Sequence, residues 1–185
     1  MTIITLQAGF VSGRSFRFTR TSDTVGGVVL PKVYIETSVV SYLTARPSRD
    51  VVSLGHQQVT RDWWEKERSA FELYTSEVVI AEAERGDSDA ARARIAVLAS
   101  LPRLSPSAES EALVPILLRE TGLPTDALLD MAHVSIATVH GMQFLLTWNC
   151  RHIANARIVR VVEKICRVRG FEPPVLCTPE ELLGA

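Results

Sequence analysis

The order of elements predicts an α/β domain: a central parallel sheet flanked by helices in three layers. Two observations carry this. Short apolar runs alternate with longer amphipathic segments from Val33 onward, and glycines stop several of the longer segments. Strands separated by helices run parallel and are covered on both faces.

The first strand is expected near residues 32–36, where Val33-Tyr34-Ile35 form an apolar run after Gly26-Gly27. A helix over 38–45 and another over 54–70 lead to a second strand near 71–75. Helices over 77–85, stopped by Gly86, and 88–99 precede a third strand near 101–104. The segment 107–121 ends at Gly122 and contains Pro115, which is expected to kink or interrupt it. A helix over 126–140 ends at Gly141 before a fourth strand near 143–147. The last helix, 152–169, ends at Gly170, and a fifth strand is expected near 174–177.

The 185 residues fit one core, with 46% hydrophobic and 22% charged residues. Residues 1–30 show no sustained period and read as a disordered or non-core N-terminal extension, leaving 31–185 as the domain. Arg14, Arg17 and Arg20 in that extension could touch RNA or merely decorate a tail. The net charge of −1 supplies no overall attraction for nucleic acid, so such binding would need a locally basic face. Cys150, Cys166 and Cys177 are odd in number and widely spaced, which argues against a disulfide framework or a zinc knuckle. No apolar run has the roughly 18–20 residues of a membrane span, and the N-terminus lacks a signal-peptide core. A cytoplasmic protein without a membrane partner is the expectation.

Ligands of open α/β sheets bind beyond the carboxyl ends of the strands. Glu36 closes the first strand, Glu77 and Glu82 follow the second, Asp126 and Asp130 open the helix before the fourth, and Asn149 follows that strand. Converging carboxylates repel unless protonated or neutralised by cations, and oxygen ligands select hard ones such as Mg²⁺ or Mn²⁺. Such ions support phosphodiester hydrolysis. Glu77 and Glu82 are separated by roughly 500° around a helix axis, so only one faces a metal. Asp126 and Asp130, four apart, share a helix face. Asp126 reads equally as a helix-start acid or a catalytic one.

Four stretches, "VYIETSVVSYL", "YTSEVVIAEAERGD", "LLDMAHVSIATVHG" and "LLTWNCRHIANA", resemble the consecutive blocks of the PIN-domain family, metal-dependent nucleases that include the VapC toxins of toxin-antitoxin pairs. The resemblance covers about residues 32–182 and implies a PIN-like fold. It matches Glu36, Glu82 and Asp130 to the metal-binding acids, with Thr37 or Ser38 as the hydroxyl beside the first and Thr147 preceding the fourth-block group. Two departures stand out: Glu36 occupies a position that is usually Asp, and Asn149 one that is often acidic. The resemblance implies a ribonuclease using Mg²⁺ or Mn²⁺, with Asn149 as a substitute fourth catalytic group, a small antitoxin as partner, and a homodimer. The alternatives are a non-catalytic RNA- or protein-binding module with an impaired metal site, and a hydrolase of small phosphoesters.

Thr37 and Ser38 would orient Glu36 or simply cap the following helix. His133, three residues after Asp130, could share its face as a metal ligand or general base but reads, like His140 and His152, as a structural histidine; Trp148 reads as core or pocket wall more than as a base-stacking ring, and Trp63 and Trp64 as split between core and rim. Arg157, Arg160, Lys164 and Arg167 fall on one helical stripe that either tracks RNA phosphates or is a solvated outer face.

Overall fold

The computed structural model describes residues 29–184. The expected extension over 1–30, with its three arginines, lies outside the described residues except for Val29 and Leu30.

The chain runs β1 (Lys32–Ile35), α1 (Thr37–Thr44), α2 (Val51–Lys66), β2 (Glu72–Ser76), α3 (Glu77–Ala83), α4 (Ser88–Leu98), β3 (Arg103–Leu104), α5 (Ala108–Thr121), α6 (Leu128–Val139), β4 (Phe144–Leu146), α7 (Ala156–Val168) and β5 (Val175–Cys177). All strand pairs are parallel, in the order β3-β2-β1-β4-β5. The successive residues Val33, Tyr34 and Ile35 of β1 are each 0% exposed, so both faces of the central strand are covered. That is why β1 reads as an unbroken apolar run and not as an alternation.

Topology positions the site. From β1 the chain moves outward through β2 to β3, then returns to place β4 on the other side of β1. The order reverses between β1 and β4, and a crevice opens beyond the carboxyl ends of strands at such a switch. The Glu36 N–H bonds to the Leu146 carbonyl at 3.1 Å, which ties the two strand ends together.

Three expectations need correction. Helix α5 runs unbroken through Pro115, which lies exposed, so its missing N–H is not replaced by a buried orphan carbonyl: the acceptor four residues back belongs to exposed Glu111. The helix expected from residue 126 starts only at Leu128; a 3-10 turn over Thr125–Ala127 follows Pro124, closed by the Ala127 N–H on the Pro124 carbonyl at 3.0 Å. Asp126 therefore lies exposed in that turn and does not share a helix face with Asp130. The final helix begins at Ala156 rather than 152, because the Asn149 carbonyl takes the N–H groups of Ile153 and Ala154 and Asn155 caps α7.

Candidate metal and active site

Glu36 serves as the N-cap of α1, with its side chain turned back over the helix start. Its Oε1 accepts the Ser38 N–H at 3.1 Å; its Oε2 accepts the Ser38 hydroxyl and, at 2.7 Å, the Thr147 hydroxyl. Ser38 Oγ also accepts the Trp148 N–H at 2.8 Å, and Thr147 Oγ1 accepts the Asn149 N–H at 2.9 Å. The acid is 7% exposed and held by donors from both sides of the topological switch.

Glu82 comes from α3, and its register settles the choice between the two acids of that helix. Glu77 points to solvent and accepts the Ser105 hydroxyl at 2.7 Å, whereas Glu82 turns inward. Glu82 Oε2 accepts the Thr37 hydroxyl at 2.5 Å and meets His133 Nε2 at 2.9 Å. The two neighbouring hydroxyls thus divide the work: Thr37 holds Glu82 and Ser38 holds Glu36. Half-burial pushes the Glu82 carboxyl up, but the hydrogen bond and charge of His133, the Thr37 hydroxyl and the nearby Arg85 together leave it below the usual carboxylate range.

His133 is 1% exposed and bridges Glu82 to β1: its Nδ1 lies 2.8 Å from the Tyr34 hydroxyl, which is 2.6 Å from Ser76 Oγ. Burial alone would lower its pKa; the Glu82 hydrogen bond and the charges of Glu36, Glu82 and Asp130 raise it overall. Burial also raises the Tyr34 phenol, which stays protonated. Because the Glu82 carboxylate is ionised and can only accept, Nε2 of His133 carries the hydrogen between them.

One ligand atom from each of Glu36, Glu82 and His133 lies within 4.8 Å of the others. Asp130 is not part of that close group. One turn before His133 on α6, it accepts Asn149 Nδ2–H at 2.9 Å on Oδ1 and His152 Nδ1–H at 2.7 Å on Oδ2. The Asn149 carbonyl oxygen is also engaged, accepting the His152 N–H at 3.0 Å. That backbone donor fixes which end of the amide is oxygen.

The donor set fits a hard cation in part. A carboxylate offers about four acceptor positions. Glu36 Oε1 receives one hydrogen bond, and Glu82 Oε1 receives none among the described residues. Both oxygens keep lone pairs for Mg²⁺ or Mn²⁺. His133, with Nε2–H given to Glu82, buttresses that acid instead of offering a lone pair of its own.

A cleft of about 800 Å³ opens from Glu36 and Glu82 along α1 and the start of α2, with Tyr42, Arg46 and Arg85 on its wall. Arg157, Arg160, Lys164 and Arg167 are exposed on α7, and Arg167 pairs with Glu163 at 3.6 Å and Glu172 at 3.3 Å. His140 donates Nε2–H to the Ser105 carbonyl at 3.0 Å. Trp63 is fully buried and Trp64 half-buried under Arg68, so the pair splits as expected. His133, three residues beyond Asp130, is a satisfied histidine as expected, but its partner is Glu82, which spacing along one helix does not reveal; that His152 meets Asp130 had no signal in the sequence.

A parallel α/β sheet with acids converging at its switch point defines a class of site suited to divalent cations and phosphoryl groups. No protein-family model and no curated protein matches the chain. Solved structures do. The chain is similar to a chain of VapBC2 from Rickettsia felis, in a complex bound to a DNA fragment from their promoter, with TM-score 0.51 and 14% identity over 80% of this chain and 98% of that one. It is also similar to VapC20 of Mycobacterium tuberculosis, a sarcin-ricin loop cleaving toxin, with TM-score 0.48 and 18% identity over 61% of this chain and 86% of that one. At this identity the likeness is one of fold: the chain has the PIN-like three-layer architecture that the four sequence blocks implied.

Proposed function

We propose that the chain is a ribonuclease dependent on Mg²⁺ or Mn²⁺ that hydrolyses RNA phosphodiesters, with Glu36 and Glu82 as metal ligands and Asp130 completing the catalytic acids. The observation that carries this is the facing of Glu36 and Glu82 at the switch point, each with an oxygen that keeps a lone pair, at the end of an open cleft. When bound, a divalent cation would supply Lewis-acid stabilisation of phosphoryl charge and acidify a water. The chain's own residues do the positioning: Ser38 and Thr147 orient Glu36, Thr37 and His133 orient Glu82, and Asn149 with His152 orient Asp130. The exposed α7 cations Arg157, Arg160 and Lys164, with Arg167, track RNA phosphates, so binding weakens steeply with salt. A toxin role, a small antitoxin partner, a homodimer and action in the cytoplasm are part of this proposal and rest on the resemblance of the four sequence blocks; the likeness to a chain of VapBC2 supports the fold they require. Among the described residues no helix is long and apolar enough to cross a membrane.

The test is cleavage of a mixed RNA pool by purified protein with Mn²⁺, with EDTA, and by Glu82→Gln and Asp130→Asn variants. Cutting that needs Mn²⁺ and disappears in both variants is expected; cutting that survives EDTA and both variants sinks the reading.

One observation favours a second reading, a non-catalytic binding module: both polar ends of Asn149 are already spent inside the protein. A cation at 100 times its Kd adds about 2.7 kcal/mol to the folded state. Absence of any Mn²⁺-induced rise in melting temperature, with RNA still bound, would favour the module.

A further inference from the structure

Helix α2 contributes no acid to the site, yet its buried face carries polar residues where apolar ones would pack more simply: Gln57 is 3% exposed and Thr60 0%. Buried polar groups are kept where they are hydrogen-bonded. Gln57 is spent on the segment between α1 and α2, giving Nε2–H to the Arg46 carbonyl at 2.9 Å and accepting the Ser48 N–H on Oε1 at 3.0 Å. Arg61, one turn further, donates to the Ala45 carbonyl of the same segment at 3.0 Å. Thr60 is spent differently. Its hydroxyl donates to the His56 carbonyl at 2.6 Å and accepts the indole Nε1–H of Trp148 at 2.7 Å. With the hydroxyl hydrogen committed inside the helix, a lone pair faces the indole.

The indole is held on its faces as well. His56, one turn before Thr60, stacks on it at 4.0 Å and 17°, and Tyr42 stands edge-on to both rings, 5.3 Å from His56 and 6.1 Å from Trp148. The same tryptophan carries a second donor. Its backbone N–H meets Ser38 Oγ at 2.8 Å, and Ser38 gives its hydroxyl hydrogen to Glu36 Oε2. Trp148 therefore donates to two hydroxyls, one on α2 and one beside the metal-binding acid, and each hydroxyl passes its own hydrogen onward. The seat of the indole governs where the Trp148 amide points, and the amide governs Ser38. An indole turned away from Thr60 would leave a buried N–H without a partner, which is costly.

We infer that Thr60 is a positioning residue for the metal site: through Trp148 and Ser38 it fixes the Glu36 carboxylate, so that α2 sets the affinity for the divalent cation without touching it. This rests on the metal-dependent reading above.

The test is calorimetric titration of Mn²⁺ into the purified full chain, without RNA and well below the melting temperature of every variant. Thr60→Val keeps the β-branched shape and removes the acceptor; Thr60→Ser keeps the acceptor. Thr138→Val is the control, since it removes a buried hydroxyl that serves the Val134 carbonyl at 2.8 Å and reaches neither Trp148 nor an acid. Thr60→Val is expected to bind Mn²⁺ about 3- to 10-fold more weakly, less than the roughly 10- to 100-fold that follows loss of a ligand's direct partner. Thr60→Ser should recover most of the affinity, and Thr138→Val should bind as wild type does. Trp148→Phe, which lacks the indole donor, should reproduce the loss, and Thr60→Val added to it should cost nothing more. In cleavage, the defect of Thr60→Val should shrink at saturating Mn²⁺. If wild type binds Mn²⁺ and Thr60→Val binds it equally well, or Trp148→Phe does where Thr60→Val does not fold, the role of Thr60 falls alone; it falls too if Thr138→Val is weakened as much. If wild type takes up no Mn²⁺, the metal-dependent reading falls and this inference with it.

Discussion

Glu36 has one more methylene than the aspartate its position resembles, and the surroundings take up the extra reach by folding the side chain back as a helix cap. Ser38 is the residue that sets this geometry, because it donates to both carboxylate oxygens and anchors Trp148 as well. Removing a group that orients a metal ligand typically costs 10- to 100-fold in metal affinity or activity. Ser38→Ala is therefore expected to lower Mn²⁺-dependent cleavage about 10- to 100-fold, while Ser38→Thr, which keeps the hydroxyl, restores most of it; equal rates for all three proteins would contradict this. Asn149 gives a second prediction. Its amide now donates to Asp130, and a carboxylate in its place would lose that donor and add a like charge. Asn149→Asp should lower the melting temperature in EDTA and show a larger rise on adding Mn²⁺ than wild type does, as read by calorimetry. At this scale the sequence displayed Glu36 and Glu82, because strand ends and helical spacing point them at the crevice. It concealed the pairing of His133 with Glu82 and the place of Tyr42 on the cleft wall. A histidine after an acid, or a tyrosine in an apolar helix, looks the same whether it faces the core or a cleft, and only the packing of Tyr34, His56 and Trp148 distinguishes the two.

At the scale of elements, apolar runs and glycine stops located the five strands and seven α-helices of the described residues, and errors gathered where side chains or turns compete with the helix backbone. Pro124 and its 3-10 turn moved the start of α6, and Asn149 with Asn155 delayed α7. Neither device changes the hydrophobic period, so periodicity could not reveal it. The stop after α5 is conformational: Gly122 has φ 68°, in the left-handed region, and its N–H closes on the Arg119 carbonyl at 3.2 Å. A Cβ there would meet no atom within 4 Å, so any penalty is backbone strain and not a clash. Gly122→Ala should cost about 1 kcal/mol, or ~2–4 °C in melting temperature for a chain of this size. No measurable change would mean that the turn relaxes.

Across the whole molecule, the site depends on segments far apart in sequence. Glu36 follows the first strand, its partner Thr147 follows the fourth, and Glu82 and His133 arrive from between them. The central strand β1 is buried only once β4 pairs beside it. A chain truncated after residue 140 keeps Glu36, Glu82 and Asp130 but loses β4, Thr147 and Asn149. It should fail to give a cooperative unfolding transition and should not cut RNA; a folded, active truncation would show that the sheet does not need β4. Parallel pairing of distant strands also makes folding slow compared with local helix formation. During synthesis, a nascent chain therefore carries Glu36 and Glu82 well before it has a working centre. Under the proposed function, a growing chain is thereby kept from cutting RNA until β4 has emerged and paired with β1.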